Sequence, residues 1–372
     1  MQSMIYSDRK FYWFSILVVF SSLFLTQILP FSPFYFGMFF SAIFLFIIFS
    51  FLPRFCVIKI SCDDRIIFIP ISFLLFHIVL NTAINSVSIK YPLLMILSYL
   101  FFIFSFCSNS IPIQQLKKSL VVLKKTTLIL LIIECAYRIT HPRFLAWAEG
   151  TSDFFYMYKF SSIMFSDTNE TGFFILSFLS FLVYLKDKQI IPVKRIEIFV
   201  GFTFLVLSFS RAAIFGFLVF ALYQFVFKTM AFMLKLFCVY LTGFGVAIIV
   251  GIFMNDGSFM TKIDIFQKTL LYLKNCDIFH FLFGIGMNHS IDALGIYGHN
   301  YLSLYSIEFG IVGLVLFLSF IILVLLKRRH TIFLWMPFLI TGLSFVSYFL
   351  PFFYFHLGLV YNFEKRGDLC KN

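Results

Sequence analysis

Residues 301–326 read YLSLYSIEFGIVGLVLFLSFIILVLL, an apolar run in which Glu308 is the single charged residue. A helix of about 20 apolar residues crosses the roughly 30 Å hydrocarbon core of a bilayer. Comparable runs recur along the whole chain, of which 61% is hydrophobic and only 12% is charged. This pattern excludes a soluble domain. It predicts a single membrane domain over residues 1–372 that is all-α and polytopic.

Charge-poor runs predict eleven transmembrane helices, and a twelfth run at 351–361 either completes another span or lies at the membrane interface. The eleven runs lie at residues 11–29, 34–52, 66–84, 92–108, 126–140, 172–185, 196–209, 212–227, 236–253, 301–326 and 332–350. Arg9 and Lys10 precede the first run, and no small-residue cleavage site follows it. The first run therefore indicates a retained span and not a signal peptide.

Lysine and arginine collect in alternate loops, which marks the cytoplasmic side of a membrane protein. The net charge of +12 is therefore attributed to orientation, and nucleic acid is not an expected partner. The expected inner cations are Arg54, Lys59, Arg65, Lys117, Lys118, Lys124, Lys125, Lys186, Lys188, Lys194, Arg195, Lys228, Lys235, Lys327, Arg328 and Arg329. Two longer segments, about 141–171 and about 254–300, then lie on the outer side. We expect each to contain short helices that lie against that face.

The turn Ser208-Phe-Ser210-Arg211 separates two apolar runs at the predicted outer surface. Arg211 has two interpretations. It is an interfacial anchor, since long cations near helix ends often extend to the interface. Alternatively it binds an anion, because the guanidinium group matches phosphate oxygens in a bidentate fashion. An outer arginine runs against the positive-inside trend, which favours anion binding.

Gly298-His299-Asn300 opens the run at 301–326 and places an imidazole at the membrane–water boundary. Such a side chain could accept a proton from a hydroxyl group or donate hydrogen bonds to a diphosphate. A lone histidine is more often structural, but this one stands beside the amide of Asn300 at a helix entrance. His289 is a weaker candidate for the same role.

The segment 166–172 ends the first long outer loop. Asp167 or Thr168 is expected to cap the helix that follows, with Glu170 in its first turn. Asn169 and Glu170 are also expected to face the same outer cavity as Arg211 and His299.

Three further cations are predicted on the outer side, and some of them are expected to neutralise a lipid diphosphate: Arg138, Arg143 and Lys159. The chain has no Gly-rich phosphate-binding loop ending in Lys-Ser/Thr and no His-Glu-x-x-His motif. Its seven cysteines show no paired metal-ligand spacing, so we expect no structural disulfide and no metal. ATP-driven transport and metalloprotease chemistry find no support in these patterns.

Several short motifs together resemble those of the bacterial O-antigen polymerase and O-antigen ligase superfamily. They are Ser208-x-Ser-Arg-Ala-Ala213, Asp167-x-Asn169, Gly284-x-Gly286, His299-Asn-Tyr-Leu302 and Glu308-x-Gly-Ile-x-Gly313. The motifs cover about residues 166–320, and the hydropathy pattern covers essentially the whole chain. One departure is Thr168, where family members often have proline, and it weakens the assignment of Asn169 most.

The resemblance implies a metal-independent, cofactor-free glycosyltransferase of the inner membrane that acts at the periplasmic face. Its substrates are sugars carried on undecaprenyl diphosphate, so membrane lipid and a chain-length regulator protein are further expected partners. The family's functional pair, an arginine after the turn and a histidine before asparagine, corresponds to Arg211 and His299. Glu170 or Asp292 is a spare base. The expected substrate contacts are Asn169, Glu170, Ser210, Asn300, Arg138 and Arg143.

Three functions remain open at this point. The leading one is a polymerase that joins lipid-linked repeat units. The second is an O-antigen ligase, which uses the same donor but passes the polymer to lipid A–core. The third is a non-catalytic flippase or transporter of lipid-linked sugars, which would need polar residues deep within several spans. The spans offer few such residues, among them His77, Asn81 and Glu134.

Overall fold

The computed structural model describes residues 20, 23–37, 39–40, 43, 62–85, 87–107, 112–142, 158, 161–227, 257–345, 347 and 350–369. Regular structure in these ranges is entirely helical, which confirms the predicted all-α class for this part of the chain. The helices are α1 Cys62–Ile84, α2 Lys90–Cys107, α3 Ile113–Thr140, α4 Thr168–Asp187, α5 Arg195–Leu207, α6 Arg211–Ala221, α7 Gly257–Asn275, α8 Ile278–Phe283, α9 Ser290–Leu294, α10 Tyr301–Glu308, α11 Gly310–Lys327, α12 Ile332–Gly342 and α13 Pro351–Leu369.

Three of these helices are long and apolar enough to cross a membrane, over residues 65–84, 168–187 and 310–327. The helices α1 and α11 pack against each other and leave large apolar side chains uncovered, such as Phe76 and Leu326. By contrast, α4 is buried over most of its length. The helix α4 therefore lies inside the bundle, whereas α1 and α11 have the apolar outer surface that a lipid contact requires. The full set of eleven or twelve spans stays a prediction.

Several element boundaries differ from those that hydropathy predicts. The helix α3 begins at Ile113 and not near 126, so lysines assigned to an inner loop belong to a helix. Lys124 is tolerated there because its ammonium group lies 2.7 Å from a carboxylate oxygen of Glu197 and donates to the carbonyl of Pro192 at 2.9 Å. Within the predicted span 11–29, the described residues 23–29 are not helical. The predicted span 236–253 lies outside the described residues.

The C-terminal part of the bundle is also organised differently from the prediction. Helix α12 ends at Gly342, so it covers only part of the predicted span 332–350. The short run at 351–361 belongs to a 19-residue helix, α13, which packs along α2 and α4. In the segment 254–300, the short helices α8 and α9 agree with the prediction, whereas α7 is 19 residues long. In the segment 141–171, predicted as an outer loop, the described stretch 161–167 is not helical.

The apolar run at 301–326 forms two helices and not one, because the helical backbone is interrupted at Phe309 and Gly310. A helix break frees backbone carbonyls, which need new donors where water is scarce. Asn81 of α1 supplies them, since its Nδ2 donates to the carbonyls of Phe283 at 2.6 Å and Glu308 at 3.1 Å. His77 Nε2 donates to the carbonyl of Phe309 at 2.7 Å. Thus α1 holds the break together from a position more than 200 residues away.

Gly284 makes this break possible because its backbone lies directly against the start of α11. Its φ is +78° and its ψ is 176°, a region that is essentially limited to glycine. A Cβ at this position would lie 2.4 Å from the carbonyl carbon and oxygen of Glu308. Two adjacent backbone hydrogen bonds, from Ile285 to Ile307 at 3.0 Å and from Gly286 to Glu308 at 3.1 Å, complete the junction.

Gly284→Ala is therefore expected to destabilise the protein strongly. Gly295→Ala is the matched control, because Gly295 also has a positive φ of +69°, but an added Cβ there would have no other atom within 4 Å. The control should cost about 1–2 kcal/mol, the usual penalty for a left-handed alanine, and Gly284→Ala clearly more. Thermal unfolding in detergent measures both. Equal losses of stability would contradict the close contact between Gly284 and Glu308.

Candidate functional site

The start of α4 forms one wall of the candidate site. Asp167 is its N-cap, and the Asp167 carboxylate accepts from the backbone N–H of Asn169 at 2.8 Å, which confirms the capping prediction. The side chain of Glu170, in the first turn, accepts a hydrogen bond from Ser347 Oγ at 3.0 Å. Both Asn169 and Glu170 are half-buried.

The Ser208–Arg211 turn lies directly against this helix start. Ser210 Oγ donates to Asn169 Oδ1 at 3.1 Å. A Cβ at Gly172 would lie 2.3 Å from Ser210 Cβ, so only glycine allows so close an approach. Phe209, at the centre of the turn, has a φ of +58°. A non-glycine residue in the left-handed region carries strain that the surroundings must hold.

Arg211 is the first residue of α6 and is exposed. Because Ser210 contacts Asn169, the Arg211 backbone is adjacent to the start of α4. The sequence-derived grouping of Ser210, Arg211, Asn169 and Glu170 is thus one local cluster, built from two helix starts and the turn between α5 and α6. We call it the α4–α6 cluster.

The segment that carries His299 approaches the same region at the end of α12. Thr341 Oγ1 donates to the carbonyl of Ala212, the residue after Arg211, at 3.3 Å. The next residue, Gly342, lies against α10, since a Cβ there would be 2.8 Å from Tyr301 Cδ1. The chain segments that carry Arg211 and His299 therefore contact consecutive residues at the end of α12.

His299 itself is half-buried, and its ring lies 5.4 Å from the Tyr297 ring. Asn300, predicted to contact substrate, is buried and is the N-cap of α10, where Oδ1 accepts from the Ser303 N–H at 2.8 Å. Asp292, predicted as a spare base, is exposed, and its carboxylate lies 2.8 Å from His289 Nδ1.

Arg138 is held inside the protein. Its side chain is 1% exposed and forms an ion pair with Glu134, which is also 1% exposed. Arg138 Nη1 also donates to the carbonyl of Tyr158 at 3.0 Å. The second Glu134 oxygen accepts from the Ile163 N–H at 2.8 Å. The guanidinium is thus engaged by groups of the protein. Arg143 and Lys159 lie outside the described residues.

The structure gives Glu308 a role that the sequence composition did not indicate. It is fully buried, and its carboxylate accepts from the backbone N–H groups of Asn288 at 2.9 Å and Ser290 at 3.2 Å. Glu308 therefore fixes the path of the chain that leads to His299. The available signal was its isolation, as the one charged residue in an apolar run.

Comparison with known proteins adds no relative to this picture: no protein-family model matches the chain, and no curated protein sequence matches it.

Proposed function

We propose that this protein is a polysaccharide repeat-unit polymerase of the inner membrane. It transfers a glycan chain from undecaprenyl diphosphate to the sugar of another lipid-linked repeat unit at the periplasmic face. The proposal rests on one observation above all: the segments carrying Arg211 and His299, 88 residues apart in sequence, contact neighbouring residues at the end of α12. We further propose a chain-length regulator protein as a partner.

The reaction requires charge stabilisation on the leaving group. The acceptor hydroxyl oxygen attacks the anomeric carbon, the bond from that carbon to the diphosphate oxygen breaks, and the electron pair stays on the diphosphate. A glycosyl diphosphate is already activated, so cationic donors aimed at the departing oxygens supply the main assistance. The exposed guanidinium of Arg211 has the planar fork that such oxygens bind.

The proton of the acceptor hydroxyl needs a base. Glu170 lies next to Asn169 in the α4–α6 cluster, and one of its oxygens is positioned by Ser347 Oγ at 3.0 Å. A carboxylate accepts several hydrogen bonds, so Glu170 retains capacity for a sugar hydroxyl. His299 is the alternative base, or a donor to the diphosphate, because the segment that carries it packs against the end of α12 through Tyr301.

Polar residues within the helices favour catalysis over a translocation path. Asn81 and His77 donate to backbone carbonyls at the break before α11. Glu134 forms an ion pair with Arg138. A flippase path needs polar groups available to a passing headgroup. These three side chains are instead engaged in holding the protein together.

Deletion of the gene tests the function directly, with surface polysaccharide analysed on a gel. A polymerase predicts single-repeat glycolipid without long chains. Bare core with accumulated lipid-linked polymer would show a ligase instead. Loss of all repeats from the surface, with lipid-linked units retained on the cytoplasmic side, would show a flippase.

His299→Ala is expected to lower polymerisation by about 10²–10⁴-fold, the usual contribution of a positioned acid–base group. His289→Ala is the matched control, because His289 is an accessible histidine of the same segment that pairs with Asp292. The length distribution of surface polysaccharide, at equal membrane levels of both variants, is the measurement. Chains of unchanged length in the His299→Ala variant would remove His299 from the mechanism, and shortened chains in both variants would show that His289 also contributes.

A further inference from the structure

Among the residues that the structure describes, helix α7 packs against the rest of the protein through one side. On that side Ile265 is fully buried and Thr269 is 4% exposed. Ile265 packs in a small cluster with Leu294 of α9 and Ile307 of α10. The cluster fixes α7 against the segment that leads into α10 and leaves other parts of the helix surface uncovered.

One uncovered side is apolar. Phe266 is 48% exposed and Leu270, one turn later, is 54% exposed. Ile278 at the start of α8 continues this surface and is 72% exposed. Yet α7 is not among the helices long and apolar enough to cross a membrane in the described part of the chain. A membrane-spanning orientation therefore does not account for its exposed apolar side chains, and such a surface usually marks a contact with another molecule or a membrane.

A charged pair lies at the edge of the exposed surface. Lys268 Nζ lies 2.9 Å from an Asp264 carboxylate oxygen, and both side chains are well exposed. Positions 264 and 268 lie roughly 160° around the helix axis from positions 266 and 270, given 3.6 residues per turn. Met260 and Leu271, 44% and 60% exposed, lie between Leu270 and this charged pair around the axis. The exposed surface of α7 is therefore mainly apolar, with the charged pair along one edge and the protein contact on the remaining side. This arrangement is typical of a helix that lies in the plane of a membrane interface.

Charge and position both indicate an anionic bilayer as the partner. Residues 257–275 contain three lysines and one aspartate, a positive balance that anionic lipid headgroups attract. The following helix, α8, packs against α11, a candidate span whose Val315 and Ile322 are exposed. The apolar surface of α7 and α8 therefore adjoins a surface that already suits lipid.

We infer that α7 lies at the headgroup boundary of an anionic bilayer. Phe266 and Leu270 reach into the acyl chains, and the Asp264–Lys268 pair faces water. This contact fixes the height of residues 278–300, and with them His299, relative to the bilayer surface. The inference does not depend on the proposed polymerase activity.

Site-specific photocrosslinking tests this contact on the full-length protein. Benzoylphenylalanine is introduced in place of Phe266 or Leu270, and in place of Asp264 or Lys268 as matched controls on the same two turns. The proteins are placed in nanodiscs of mixed phosphatidylglycerol and phosphatidylcholine and irradiated. Intact-protein mass spectrometry then measures phospholipid adducts.

The expected result is a several-fold higher lipid adduct yield at positions 266 and 270 than at 264 and 268, with phosphatidylglycerol preferred. All four positions are exposed, so the substitutions leave the packed side of α7 intact. Equal yields at the four positions would overturn the inference, as would adducts at 266 and 270 that join two protein chains instead of lipid. Equal labelling of the two lipids would overturn the anionic preference.

Discussion

Arg211→Ala is expected to leave the protein in the membrane and to abolish long polysaccharide chains. The side chain is exposed at the first residue of α6, so its removal leaves no cavity in the packed interior. Removing one donor that stabilises a developing negative charge costs about 10²–10³-fold in rate. A loss of that size converts a ladder of long chains on a gel into single-repeat glycolipid.

One further variant tests whether diphosphate binding needs the planar shape of the Arg211 guanidinium or only its positive charge, and a second variant is its control. Arg211→Lys keeps the charge but loses the planar fork, so it fails if the contact to diphosphate is bidentate. Arg195→Ala is the matched control, because Arg195 is likewise an exposed arginine at the first residue of a helix, but at the opposite end of α5 from the Ser208–Arg211 turn. Immunoblots of membranes normalise the amounts. A normal ladder from Arg211→Ala would reject the assignment.

The α4–α6 cluster was predictable because its parts are local. Asp167 stands two residues before Asn169 at the start of an apolar run, which is a helix-capping pattern that depends on adjacent residues alone. The Ser208–Arg211 turn is marked by its polarity between two apolar runs. What the sequence could not supply is the contact between them, which depends on the missing side chain of Gly172 against Ser210.

The break between α10 and α11 was missed for a related reason. Residues 301–326 are apolar on nearly all sides of the helix, so their hydropathy shows no periodic pattern whose change could mark a helix end. The run therefore resembles one continuous span. The break is stabilised by His77 and Asn81, which are more than 200 residues distant in sequence. Distant donors of this kind leave no mark in the run itself. Only Glu308 and Gly310 within the run hinted at an interruption.

Arg138, predicted to contact substrate, is instead paired with Glu134, and the sequence already contained a sign of this pairing. Glu134 and Arg138 stand four residues apart on α3, the spacing at which opposite charges meet on one helix face. Considered alone, Arg138 was an outer cation available to a diphosphate. Considered with Glu134, it is one half of a buried pair, and both halves are additionally hydrogen-bonded to the backbone of residues 158 and 163.

Breaking that pair is expected to have the largest effect on stability. Glu134→Leu leaves the Arg138 guanidinium buried without its counter-charge, and Arg138→Met does the same to the Glu134 carboxylate. Removing one partner of a buried ion pair typically costs about 3–5 kcal/mol. The double variant removes both charges, and apolar replacement of a whole buried pair is often nearly neutral. The double variant should therefore unfold at a higher temperature than either single variant.

Thermal unfolding of the four proteins in detergent measures this coupling, and additive losses would contradict the ion pair. The double variant also separates the two roles of Arg138. If the arginine only holds residues 158–163 next to the start of α4, the double variant keeps its long-chain ladder in proportion to its folded amount. If Arg138 instead binds the donor diphosphate, polymerisation fails although stability is recovered. The buried pairing favours the first outcome, because a guanidinium 1% exposed offers no open face to a lipid headgroup.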